Sequence, residues 1–146
     1  MNANEPMDRR GFVVSCALAG AGLVLTGCVQ MVTHPVPVSG GRVRLSLASY
    51  PELGKPDGAI RILPEASLDP IYVLAAANGE FRAVSPICTH RGCTVDVQGE
   101  RLVCPCHGST YDRGGKVLRG PAERALASYA VRREGDFLII ALGSGQ

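Results

Sequence analysis

Two short segments constrain this chain more than anything else in it: Cys88-Thr89-His90-Arg91-Gly92-Cys93 and Cys104-Pro105-Cys106-His107. Most of the cysteines and histidines of the sequence fall here. Thiolate and imidazole are ligands for transition metals, and the pairs Cys88/His90 and Cys104/His107 make a four-ligand set. Any fold the chain adopts has to bring these two loops face to face. Taken alone, the set can build a tetrahedral zinc site or a centre based on another soft metal. Cys93 and Cys106 remain over and read as occupying equivalent places beside the ligands, a surplus that a zinc site does not need.

The rest of the sequence argues for strands around those loops. The chain has 146 residues, 46% hydrophobic and 19% charged, which suits one globular domain. Its 18 glycines and 10 prolines beside 5% aromatics point to a turn-rich, strand-based architecture. The formal net charge of +2 is small and scattered, so a nucleic-acid footprint is excluded. Arg42 to Leu47 alternates polar and apolar, while Ala59 to Leu63 and Ile71 to Ala75 are short apolar runs bracketed by Gly or Pro. Asn78-Gly79 ahead of Phe81 to Val84 predicts a tight hairpin of type I′. Two more hairpins are predicted, Thr94 to Val97 with Arg101 to Val103 around Gln98-Gly99, and Ala127 to Arg132 with Phe137 to Leu142 around Gly135-Asp136. No amphipathic helix competes. The expectation is a single antiparallel all-β domain over residues 42–146, a sandwich or small barrel.

The N-terminus reads as an address. Gly11 to Gly27 is uncharged and apolar and follows Arg9-Arg10, the layout of an export signal over residues 1–27. Arg9-Arg10-Gly11-Phe12-Val13 resembles a twin-arginine motif, with Asp8 where a hydroxyl residue is usual. Leu25-Thr26-Gly27-Cys28 resembles a lipobox, which makes Cys28 the candidate for lipidation. The competing reading keeps the apolar run uncut as a membrane anchor. On either reading the folded part is exported and tethered at the membrane on the periplasmic, extracytoplasmic side, where disulfides persist. Residues 28–41, with Pro35, Pro37 and Ser39-Gly40-Gly41, read as a semi-extended linker, and His34 within it as a solvated side chain.

The two cysteine-histidine segments together closely resemble those of the Rieske family. The resemblance covers residues 85–122 and, weakly, the flanking strands. It implies an antiparallel β-sandwich with a small cluster-binding subdomain and a [2Fe-2S] cluster as cofactor. It places Cys88 and Cys104 on an inner iron, His90 and His107 on an outer iron, and a disulfide between Cys93 and Cys106. Gly108, Ser109, Tyr111 and Pro121 match surroundings of the cluster in the family. The serine is a hydroxyl donor to a bridging sulfide, the tyrosine to a cysteine ligand, and Gly120-Pro121-Ala122 the proline loop that covers the cluster. This chain departs from the pattern at Glu123, where a proline is usual, at Arg91, where respiratory and photosynthetic members have leucine, and in the 13 residues between His90 and Cys104, a slightly short connection.

Replacing two thiolates by neutral imidazoles makes such a site less negative and raises its reduction potential, to about −150 to +300 mV against about −400 mV for all-cysteine plant-type clusters. Hydroxyl donors raise it further, so the resemblance implies the high-potential subclass. The leading functional expectation is an electron-transfer subunit of a quinol-oxidising complex of the cytochrome bc or b6f kind, with cytochrome subunits as partners and no substrate site of its own. The alternatives are the small subunit of an exported molybdenum oxidase of the arsenite oxidase kind, and a free-standing Rieske lipoprotein shuttle.

Overall fold

The computed structural model describes residues 31–143. The export signal with Arg9 and Arg10, the uncut-anchor alternative and Cys28 lie outside the described residues. No helix among the described residues is long and apolar enough to cross a membrane.

Among the described residues thirteen strands follow one another: β1 Thr33–Val36, β2 Val38–Ser39, β3 Arg42–Ser46, β4 Ala59–Pro64, β5 Ile71–Ala75, β6 Phe81–Val84, β7 Asp96–Gln98, β8 Arg101–Val103, β9 Thr110–Asp112, β10 Val117–Arg119, β11 Ser128–Tyr129, β12 Val131–Glu134 and β13 Phe137–Ala141. They form a five-stranded sheet in the order β1-β4-β5-β6-β11, a four-stranded sheet β12-β13-β3-β2, and a second four-stranded sheet β10-β9-β8-β7.

The five-stranded sheet is covered on both faces. β5 reads Ile-Tyr-Val-Leu-Ala and all five residues are buried, as a continuous apolar run requires of a strand enclosed on both sides. Its alternate residues divide between two cores. Ile71 and Val73 join Ile60, Ile62 and Ala83 against Val43, Leu45, Leu138 and Ile140 of the β12-β13-β3-β2 sheet. Tyr72 and Leu74 face the other way, against Val95, Leu102, Tyr111 and Leu126 from the β7–β10 sheet and the loops that flank it. The first core is the sandwich; the second attaches the cluster-binding subdomain to it.

The hairpins follow the predicted positions with two shifts. Glu134 pairs with Phe137 around Gly135-Asp136, as expected. Gln98 itself pairs with Arg101, so the two-residue turn is Gly99-Glu100 rather than Gln98-Gly99. Thr94 lies outside that hairpin and bridges to Ile87 instead. Asn78 and Gly79 both have positive φ, 67° and 73°, as the type I′ reading demands. Ala77 lengthens this loop by one residue, and the Ala76 N–H closes it on the Glu80 carbonyl.

Two expectations are corrected. The predicted strand from Ala127 to Arg132 is two strands in different sheets: Ser128 and Tyr129 pair with β6, whereas Val131 onward pairs with β13. The chain crosses between layers at Ala130, and the run from Ala127 to Arg132, with no Gly or Pro to break it, carries no mark of such a crossing. The linker reading of residues 28–41 fails for Thr33–Ser39. β1 runs parallel to β4, with His34 opposite Ile62, and β2 pairs with β3. Proline suits an edge strand, where its missing N–H faces away from the ladder. His34 is half-buried and meets the Tyr50 ring edge-on, with centroids 5.3 Å apart.

Candidate metal centre

The two cysteine-histidine segments fold as the same loop built twice. In the first, Cys88 N–H donates to the Cys93 carbonyl at 2.8 Å and Gly92 N–H to the Cys88 carbonyl at 2.8 Å. In the second, Cys104 N–H donates to the Ser109 carbonyl at 2.8 Å and Gly108 N–H to the Cys104 carbonyl at 3.0 Å. Gly92 and Gly108 take matching positive φ values of 79° and 77°. In each loop the leading thiol receives the amides two and three residues on: His90 and Arg91 at Cys88, Cys106 and His107 at Cys104. This register corrects the sequence reading of the surplus cysteines. Cys93 corresponds to Ser109, and Cys106 to His90, so the two are not in equivalent places. Arg91 is the counterpart of His107.

Cys93 and Cys106 form a disulfide with Cα atoms 6.5 Å apart, as the resemblance implied. It joins the end of one loop to the middle of the other. Cys88 and Cys104 remain free thiols, 2% and 1% exposed. The Cys104 sulfur lies within 4.8 Å of both disulfide sulfurs. Because those two sulfurs are bonded to each other, this grouping is not a three-thiolate metal site. His90 and His107 approach at the surface with ring centroids 4.8 Å apart and planes nearly perpendicular, at 87°. His90 is half-buried and His107 exposed. The Nδ1 of His90 is buried and has no hydrogen-bond partner. A buried imidazole nitrogen left empty, beside two buried free thiols and a second imidazole, fits a metal cluster.

Hydroxyls surround the thiols. Tyr111 is fully buried, and its hydroxyl lies 3.3 Å from the Cys88 sulfur. The same oxygen accepts the Thr89 N–H at 3.2 Å and contacts the Thr89 hydroxyl at 3.1 Å. Burial, and then the adjacent Cys88 sulfur, push the Tyr111 phenol above its ordinary range, so it keeps its proton and can donate it. Burial alone would raise the Cys88 thiol; the Tyr111 hydroxyl and the two loop amides outweigh it and hold Cys88 below the usual thiol range. Burial and the neighbouring Cys88 raise Cys104 instead. Ser109 is fully buried, and its oxygen accepts the Ala122 N–H at 3.0 Å. Its own proton is therefore free to point elsewhere. The Gly120–Pro121 peptide is cis. Segment 120–124 is tied to both loops, to one through that Ala122 bond and to the other by the Thr89 hydroxyl donating to the Arg124 carbonyl at 2.6 Å.

Two contributors were not singled out from sequence. Thr89 fixes the Tyr111 hydroxyl; a hydroxyl residue between a candidate ligand pair was the available signal. Arg113 is only 5% exposed and donates Nε to the Gly99 carbonyl at 3.0 Å, Nη1 to the carbonyls of Gly58 and Ala75 at 3.1 and 2.5 Å, and Nη2 to that of Asp57 at 2.6 Å. It fastens the cluster-binding subdomain to the ends of β4 and β5. The signal was its spacing of two from Tyr111, which places it on the buried side of the chain.

Comparison with known proteins agrees with this geometry. Residues 56–130 match the Rieske [2Fe-2S] domain. The chain belongs to the Rieske [2Fe-2S] family. The cytochrome b6-f complex iron-sulfur subunit of Synechococcus sp. (strain JA-3-3Ab) is 35% identical over 149 residues, covering 90% of this chain and 85% of that one. The subunit of the same name from Prochlorococcus marinus (strain AS9601) is 31% identical, covering 92% and 84%. Among solved structures, the plasma membrane Rieske protein PetC3 of Synechocystis PCC 6803 is 36% identical, with a TM-score of 0.51 over 57% of this chain and 85% of that one. A chain from the oxygenase–ferredoxin complex of carbazole 1,9a-dioxygenase superposes with a TM-score of 0.60 at 17% identity, a likeness of fold alone. The cofactor of this Rieske protein is accordingly a [2Fe-2S] cluster, and the protein is an electron-transfer homologue of the b6-f iron-sulfur subunits.

Proposed function

We propose that this Rieske protein is a high-potential, single-electron carrier of a quinol-oxidising complex of the bc or b6f kind, held at the outer face of a bacterial membrane. The observation that carries the reading is the pairing of two exposed-edge imidazoles over two buried thiols, clamped by the Cys93–Cys106 disulfide. On this reading Cys88 and Cys104 would hold one iron of the cluster and His90 and His107 the other. When bound, the cluster takes up and releases one electron. The chain's part is to bury the thiolate side from water, to bring the imidazole edge to the surface where a partner can approach, and to aim hydrogen-bond donors at the electron-rich side. The names of the relatives support the assignment to a membrane cytochrome complex.

With the cluster bound, the Tyr111 hydroxyl, 3.3 Å from the Cys88 sulfur, would donate to that ligand, and the Ser109 hydroxyl, whose proton is not used by Ala122, would be available to a cluster sulfide. Each donor favours the reduced, more negative state. Tyr111→Phe and Ser109→Ala are each expected to lower the midpoint potential with the cluster still bound. A differential of ~1–2 kcal/mol per donor corresponds to ~40–90 mV for one electron. A redox titration of each variant checks this; loss of the cluster instead of a shifted potential assigns the residue a structural role.

Export and anchoring rest on Arg9-Arg10 and Cys28. Because β1 begins at Thr33, only Val29 to Val32 separate Cys28 from the sheet, a tether of at most about 18 Å. Anchoring at Cys28 therefore holds the domain close to the bilayer. Substituting both arginines by lysine is expected to leave the protein in the cytoplasm, and Cys28→Ala to release the exported protein from the membrane, as cell fractionation reads out. Release blocked in Cys28→Ala selects the uncut anchor over the lipid.

A further inference from the structure

We infer that the tip around the histidine pair is a basic docking surface for an acidic electron acceptor, an inference that rests on the electron-carrier reading above. The doubled loop gives the first observation. Arg91 stands at the loop position that His107 occupies in the other loop, and both are exposed. The chain thus displays a guanidinium where its own repeat displays an imidazole, at the edge where an electron leaves.

Segment 119–124 gives the second. Its bonds to Ser109 and Thr89 hold it against both loops, and it presents Arg119, Glu123 and Arg124 to solvent. The charged residues of the tip are therefore three arginines and one glutamate. None of them is in an ion pair among the described residues, where the pairs are Arg82–Glu80 and Arg132–Glu134. The tip excess, three arginines against one glutamate, equals the net +2 of the entire chain, so the charges outside the tip sum to zero. An uncompensated, solvated patch of one sign steers a partner of the opposite sign and favours approach with the two redox centres facing, more than it adds lasting affinity. Arginine suits the task because its fork pairs with carboxylates in two-point contacts. The partner that fits is a small redox protein whose own electron-entry site is ringed by Asp and Glu.

Stopped-flow oxidation of the reduced, cluster-loaded full-length protein tests this, with an acidic plastocyanin and a basic cytochrome c as probes. The rate with plastocyanin is expected to fall as ionic strength rises, and that with cytochrome c to rise. Arg91→Gln and Arg124→Gln are each expected to reduce the low-salt rate with plastocyanin about threefold relative to the high-salt rate, and Glu123→Gln to increase it. Taking the ratio of the two rates removes any change in driving force. A rate with plastocyanin that ignores salt or rises with it, or variants with unaltered ratios, overturns the basic docking surface while leaving the electron carrier intact. Failure to transfer an electron to either probe at any ionic strength overturns the carrier reading itself, and the inference with it.

Discussion

Arg113→Met is expected to destabilise the protein by about 2–4 kcal/mol, read as a lower urea midpoint, and to accelerate loss of the cluster. The guanidinium is 5% exposed and bonds four backbone carbonyls in three separate segments of the chain. Methionine fills the volume but leaves the acceptors without donors. The carbonyls of Asp57 and Gly99 lie at exposed residues, where water can take the vacated place. Those bonded by Nη1, at Gly58 and Ala75, are buried, and a buried acceptor that loses its partner costs ~1–3 kcal/mol. The Gly58 carbonyl keeps the Ala75 N–H at 2.8 Å, which moderates its share. Arg113 joins the subdomain bearing the second metal-binding loop to β4 and β5, so the metal centre loosens along with the fold. Arg113→Lys, which retains charge but not the fork, is expected to fall between wild type and methionine. Equal stability of all three proteins would show that the four bonds do not hold the layers together.

Removing the disulfide as Cys93→Ser with Cys106→Ser is expected to cost about 3 kcal/mol, the loop-entropy value for a closed segment of this size, given a sequence separation of 13. The effect reaches beyond stability because the bond links the two cysteine-histidine loops. Each loop keeps its own internal hydrogen bonds without it. What is lost is the constraint between loops, apart from segment 120–124 tied to both. The His90–His107 edge is therefore expected to open, with a broadened cluster signal and faster cluster loss in air. Thermal unfolding measures the first effect and the decay of visible absorbance the second. Unchanged cluster lifetime in the double variant would reduce the disulfide to a stability element.

The two cysteine-histidine loops were legible because their pattern is local: a cysteine and a histidine two or three residues apart need only a tight loop to meet. The strand positions of β3, β5, β6 and β13 were legible for a similar reason, since periodicity and Gly-Asp or Asn-Gly punctuation are written into consecutive residues. Legibility failed where partners are distant in the chain. Thr33–Val36 carries two prolines nearby and no clear alternation, yet β4 supplies a parallel edge for it, a pairing that no local pattern announces. The crossing at Ala130 is likewise decided by which sheet each half can bury itself against. Cys93 and Cys106 were aligned by their nearness to ligands, whereas the backbone hydrogen bonds align Cys93 with Ser109; only the loop register distinguishes these. Beyond its spacing of two from Tyr111, the role of Arg113 was not legible, because its four acceptors come from Asp57, Gly58, Ala75 and Gly99, segments far apart in sequence.

The measurement that bears most directly on the function is an anaerobic redox titration of the full-length protein followed by electron paramagnetic resonance. The expected result is a Rieske-type signal that titrates as one electron at positive potential, as the proposed ligation by two histidines and the two proposed hydroxyl donors require. A silent protein carrying stoichiometric zinc would contradict the cluster, and a Rieske signal at negative potential would contradict the high-potential carrier.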